Sequence, residues 1–142
     1  IDLSDRRVVA SWPLHLGQHN TAMGFDPAAH RLFIGCRSGA IVVMNSDTGA
    51  EIKALAIAPG VDDIELDAAT HRIYASSGGA NGGDGSVAVY HASGKDDYTL
   101  LATVPTRPGA RNSALVPEWG EYFVSAPASK GRPAAVLVFH VQ

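Results

Sequence analysis

Short apolar runs recur along the chain, each about five residues long and each set off by Gly, Pro, Asp or Asn. The first cycle has runs at 21–25, 31–36, 40–44 and 50–57. The second has them at 62–66, 72–76, 86–90 and 98–104, and a third, degraded cycle has them at 111–116, 121–125 and 135–139. Runs this short, bounded by turn residues, predict strands rather than helices. The third run of each cycle is the most continuous: Ala40-Ile41-Val42-Val43-Met44, Ser86-Val87-Ala88-Val89-Tyr90 and Ala135-Val136-Leu137-Val138-Phe139. Unbroken apolar character predicts strands covered on both faces.

The cycles are copies of one unit. Asp26-Pro27-Ala28-Ala29-His30-Arg31-Leu32-Phe33 returns 41 residues later as Asp67-Ala68-Ala69-Thr70-His71-Arg72-Ile73-Tyr74. A period in the low forties with four strands per cycle is the pattern of a β-propeller blade. The expected fold is therefore all-β, with about three blades of four antiparallel strands, labelled A to D from the axis outward. Residues 17–58 and 59–107 form whole blades, and 108–142 form a blade lacking its strand D. Residues 1–16 supply strand D of an adjoining blade, because 7–12 match 50–55 in pattern. Segment 7–12 would then complete the last blade by pairing beside 136–141, within one chain or across two, hiding an open sheet edge. Three blades do not close a ring. The expected partner is a second copy, giving a six-bladed dimer, or the missing blades of a longer parent.

Composition narrows the function classes. Of 142 residues 46% are hydrophobic and 18% charged, with a net charge of −3. That balance is globular and gives no basic surface for nucleic acid or an anionic membrane. No run approaches the length of a membrane-spanning helix. The single Cys36 excludes an intrachain disulfide and reads as a packing residue at a strand end. The sequence starts without an initiator Met or a signal peptide, so any targeting segment is expected to have been removed or to lie outside it.

The repeat Phe25-Asp26-Pro27, Arg31-Leu32-Phe33, Gly39-Ala40-Ile41-Val42-Val43-Met44-Asn45, Thr48-Gly49-Ala50-Glu51-Ile52 resembles the YVTN/YncE-like β-propeller repeat. Leu66-Asp67, Arg72-Ile73-Tyr74 and Gly85-Ser86-Val87-Ala88-Val89 carry the likeness through the second copy, and Tyr122-Phe123-Val124 with Val136-Leu137-Val138-Phe139 through the third. The resemblance implies a periplasmic or secreted protein. It does not imply a reaction, since propellers host many chemistries.

Candidate chemistry is sparse. His30 and His71 occupy one repeat position, as do His91 and His140, which points to a repeat constraint such as a turn hydrogen bond rather than to metal ligands. His15 and His19 share a D–A loop but have no fixed third ligand. Residues 77–85 are Gly-rich without the Lys-Ser/Thr of a phosphate loop, and read as a long flexible B–C loop. Asp96-Asp97 reads as a solvated turn. No Gly-x-Ser-x-Gly elbow is present.

Superposing the D–A loops by repeat phase puts Thr21, Asp62 and Arg111 in one slot and Ala22, Asp63 and Asn112 in the next. These slots flank the channel mouth, with His19 and Asn20 beside them. His19, Asn20, Asp62, Asp63, Arg111 and Asn112 are therefore the candidate ligand-binding residues. Two readings stand side by side: an Asp62 or Asp63 pair with Arg111 that pins neighbouring blades, or a ligand contact. The sequence is expected to be a non-catalytic binding or scaffold module with no metal or cofactor. The alternative is a propeller-type hydrolase, lactonase-like, or oxidoreductase, whose site is shared with other blades.

Overall fold

The computed structural model describes residues 4–141, and among these the only regular secondary structure besides β-strands is one 3-10 turn, Pro117–Trp119. Blade I is β1 (Asn20–Asp26), β2 (Arg31–Cys36), β3 (Ala40–Asn45) and β4 (Glu51–Ala56). Blade II is β5 (Val61–Asp67), β6 (Arg72–Ser77), β7 (Ser86–Gly94) and β8 (Asp97–Pro105). Blade III is β9 (Asn112–Val116), β10 (Glu121–Ala126) and β11 (Ala135–His140). Each sheet is an antiparallel meander in chain order, with β11 an open edge.

The repeated Asp-x-x-x-His-Arg motif makes the A–B turn. The Asp26 carboxylate accepts the Ala28 and Ala29 N–H groups, and Asp67 accepts those of Ala69 and Thr70. His30 and His71 then adopt positive φ, 56° and 54°, which ends each turn in the same way. His30 Nδ1 also lies 3.0 Å from Asp47 Oδ1, so the repeated histidine serves its turn.

Register in the sheets decides which blade each side chain meets. Phe33, Ile41 and Val43 of blade I face blade II and pack with Ile64, Ile73, Ala75, Ala88 and Tyr90. Tyr74, Val87 and Val89 repeat those positions in blade II and pack on Tyr122 and Val124 of blade III. Tyr74 and Tyr122 stack with centroids 5.2 Å apart. In blade III the same positions are Phe123, Val136 and Val138, by their pairing in the ladder. Among the described residues no further blade packs on them. Val43 is 0% exposed and Val138 53%; Ile41 is 0% exposed and Val136 64%.

The opposite face of blade I is half covered. Within one chain the expected pairing of 7–12 with β11 is not made: 8–15 form no strand, and no backbone bond joins 7–12 to β11 among the described residues. The segment runs instead as a strap. Leu14 packs on Ile34, Cys36 and Val42. The His15 and Leu16 N–H groups both donate to Glu51 Oε1, at 2.8 and 2.9 Å. Leu16 first, then burial working against it and the His15 contacts, leave the Glu51 carboxyl below its ordinary range. The physical reason is that 7–12 lacks a partner edge at blade I, whereas Trp12 and Leu14 find apolar surface there. Nearer the axis, Met23 and Phe25 stay half exposed or more.

Gly49 lies under the Trp12 ring with φ 73°, where a Cβ would enter the indole. Gly49→Ala is expected to cost about 1–2 kcal/mol of left-handed strain and to lift the strap, which a shift in Trp fluorescence would report.

Candidate ligand-binding face

The D–A and B–C loops meet at one end of the blades. A chain of backbone bonds ties them together: Gly60 N–H donates to Arg37 O (3.0 Å), Gly78 N–H to Gly60 O (3.0 Å) and Gly109 N–H to Gly78 O (2.8 Å). Gly60 and Gly109 share a repeat position and both need positive φ, 82° and 75°. The Gly-rich segment, expected to be flexible, is thus pinned at Gly78, and at Asp84 by Lys130 Nζ at 2.8 Å.

This frame sets the sequence candidates side by side. Arg111 Nε donates to Asp62 Oδ2 at 2.8 Å. Arg37 Nε donates to Asp62 Oδ1, also at 2.8 Å, and its Nη2 makes a second, short bond to the same oxygen. Asp62 therefore joins blades I, II and III through two guanidinium groups. Asp63 Oδ2 accepts the Ser113 N–H at 2.9 Å, and Asn112 opens β9 beside it. Asn20 opens β1 opposite Cys36, and the carbonyl of His19, at φ 55°, accepts the Arg37 N–H at 3.0 Å. The six candidates and Arg37 form one connected end.

Arg37 is the residue missed from sequence. It sits in the B–C turn of blade I, outside the D–A loops that share the Asp62 slot.

Charge is divided between the two ends. The loop end carries Arg37, Arg107, Arg111, Lys130 and Arg132 against Asp62, Asp63 and Asp84. The turn end carries Asp26, Asp47, Glu51, Asp67, Asp96, Asp97, Glu118 and Glu121 against Arg31, Lys53, Arg72 and Lys95. Both Asp62-bound arginines are nearly half exposed, so donors remain beyond the ion pairs.

The Asp96-Asp97 turn also departs from expectation. Asp96 clamps the buried Arg31 of blade I, accepting Nε at 2.7 Å and Nη2 at 2.9 Å. Arg31 first holds the Asp96 carboxyl below the usual range, against a smaller opposing effect of burial. Lys53 reaches the Asp96 carbonyl. Asp96 serves as an inter-blade clasp because the extended β7–β8 hairpin carries it back over blade I.

A cavity of about 680 Å³ lies at the turn end between blades I and II, with Phe25, Phe33, Leu66 and Ile73 among its walls. A smaller cleft of about 370 Å³ opens at the loop end between blades II and III. Among the described residues no three His, Cys, Asp or Glu side chains gather as a metal site.

These are the features of a β-propeller: antiparallel blades packed face to face, here two of four strands and one of three in an open array. Solved structures agree. The chain is similar to hydrazine synthase of Kuenenia stuttgartiensis, with a TM-score of 0.69 at 11% identity over 84% of this chain and 38% of that one. It is similar to a chain of a mitotic checkpoint complex, with a TM-score of 0.64 at 16% identity over 85% of this chain and 36% of that one. It is also similar to a glucose dehydrogenase, with a TM-score of 0.60 at 17% identity over 92% of this chain and 46% of that one. At these identities the likeness speaks for fold alone, and the chain spans less than half the length of each of these structures. No protein-family profile and no curated protein sequence matches it.

Proposed function

We propose that this chain is a non-catalytic propeller module of the YVTN/YncE-like kind, periplasmic or secreted, that binds an anionic ligand on its loop end. One observation carries the reading: a protein of net charge −3 places five of its 11 Lys and Arg residues at that end, over a rigid frame of inter-blade bonds. Rigid loops around one axis with half-exposed guanidiniums suit recognition of carboxylate or phosphate groups. Propeller neighbours include proteins named as enzymes and a chain of a checkpoint assembly, so the fold is compatible with binding or catalysis. The enzymatic alternative needs residues from other blades, and no specific observation favours it.

The test is titration with hexaglutamate, a probe long enough to span the face, followed by amide NMR. Shifts are expected at residues 37–38, 62–63 and 107–112, and Arg111→Glu should weaken binding at least fivefold. A shift map centred on the turn end would overturn the reading. If Arg111→Glu lowered the melting temperature and left hexaglutamate binding intact, Asp62–Arg111 would be a structural pair only.

A further inference from the structure

The 370 Å³ cleft lies beside the mouth and is lined by neither the six sequence candidates nor Arg37. Its walls are Thr106, Arg107 and Pro108 of the D–A loop, Asp84 of the Gly-rich loop, and Ser129, Lys130 and Arg132 of the loop between β10 and β11. Three cations thus face one carboxylate. That carboxylate is already paired, through Lys130 Nζ at 2.8 Å.

The cations are held in place by backbone. Ser129 and Arg132 pair as an isolated antiparallel bridge, with N–H to O distances of 3.1 and 2.9 Å in the two directions. Lys130 and Gly131 between them both have positive φ, 48° and 76°, so the turn is the tight primed kind that fixes where its flanks point. Arg107 spends only Nη1, on the Pro133 carbonyl at 3.0 Å. Its Nε and Nη2 are left over. The Arg132 side chain makes no hydrogen bond or ion pair among the described residues. The Thr106 hydroxyl, in the same wall, is buried and has no partner. A buried hydroxyl without a partner is costly, and a cleft with two uncommitted guanidinium forks matches a tetrahedral oxyanion.

We propose that this cleft binds a phosphate group, with Arg107 and Arg132 as the forks, Lys130 as a point charge and Thr106 Oγ1 as a short-range donor. The proposal rests on the loop-end reading above and adds a ligand chemistry and an address. The group would be free phosphate or the head of a phosphomonoester; a cleft of this size accommodates either.

The experiment is isothermal titration at low salt with inorganic phosphate and, separately, with phenyl phosphate. It compares the unaltered chain with Arg107→Gln/Arg132→Gln, Thr106→Val and the mouth variant Arg37→Gln/Arg111→Gln. Saturable binding is expected, weakened at least tenfold by the first pair, a few-fold by Thr106→Val, and not by the mouth pair. Tighter binding of phenyl phosphate identifies an ester, and equal binding identifies free phosphate. Should the Arg107/Arg132 variant fail to fold, Lys130→Gln, exposed and remote from the core, carries the same expectation at a few-fold. Loss of binding in the mouth pair alone would overturn this cleft and leave the loop end as the binding face. Absence of saturable binding to millimolar phosphate would also overturn it, without touching the hexaglutamate result. Binding insensitive to all these substitutions would overturn both readings.

Discussion

Val43→Asp is expected to unfold the chain, whereas Val138→Asp, at the same repeat position, is expected to leave the melting of the monomer, measured at high dilution, almost unchanged. Val43 is fully buried between blades I and II, and Val138 is 53% exposed on blade III. A carboxylate forced into the first site has no partner and costs more than about 4 kcal/mol, most of the stability of a domain this size. In the second it meets water and costs within about 0.5 kcal/mol. The difference lies in the neighbouring blade, since both valines occupy the third strand opposite the equivalent Phe33 and Phe123.

The same pair of substitutions tests assembly. Phe123, Val136 and Val138 present to solvent the face that blade I presents to blade II, so we expect this face to be covered by another blade, from a second copy or from a longer parent. Apolar patches of this kind self-associate. Light scattering should find the unaltered chain in assemblies and the Val138→Asp chain monomeric. A monomeric unaltered chain at high concentration would count against any such cover.

The second large effect concerns the inter-blade clasp. Asp96→Ala strands the Arg31 guanidinium in a site only 4% exposed, with the His30 carbonyl at 2.9 Å as its nearest remaining acceptor. The expected loss is about 2 kcal/mol, under the 3–5 for a fully buried pair because Asp96 itself is partly exposed. That corresponds to about 6 °C in melting temperature. Arg31→Leu combined with Asp96→Ala should recover at least half of it, because the unpaired charge is gone. Acid should erase the difference. A carboxylate held below its ordinary range stabilises the fold above the unfolded value, near 4, and that contribution disappears as pH falls through the folded value. Urea midpoints of the unaltered and Asp96→Ala chains should therefore differ most above about pH 5 and converge below about pH 4. A gap independent of pH would rule out the ion pair as its source.

Much of this architecture is legible in the sequence because it is local. Turn chemistry at Asp26 and Asp67, apolar runs of strand length and the 41-residue return define each strand and its order without any long-range knowledge. Repeat phase then carries that local information across blades, which is why Asp62 and Arg111 could be brought together from a superposition of loops. The same superposition, confined to one type of loop, passed over Arg37.

Contacts between elements that the repeat does not relate are not legible in this way. Residues 7–12 have the composition of a strand, but a strand exists only with a partner edge, and within one chain Leu14 packs instead on Cys36 and Val42 while Trp12 covers Gly49. Asp96 has the composition of a solvated turn, yet the length of the β7–β8 hairpin brings it back over blade I to Arg31. The cleft of Arg107, Lys130 and Arg132 joins segments from two blades that share no pattern in the chain. The sequence by itself determined the strands, their turns and the blade repeat, since those follow from side-chain alternation and backbone preference within a few residues. Only the tertiary structure decided which charges meet, which valines are buried and where a ligand could sit, because those depend on distances between residues that the chain keeps far apart.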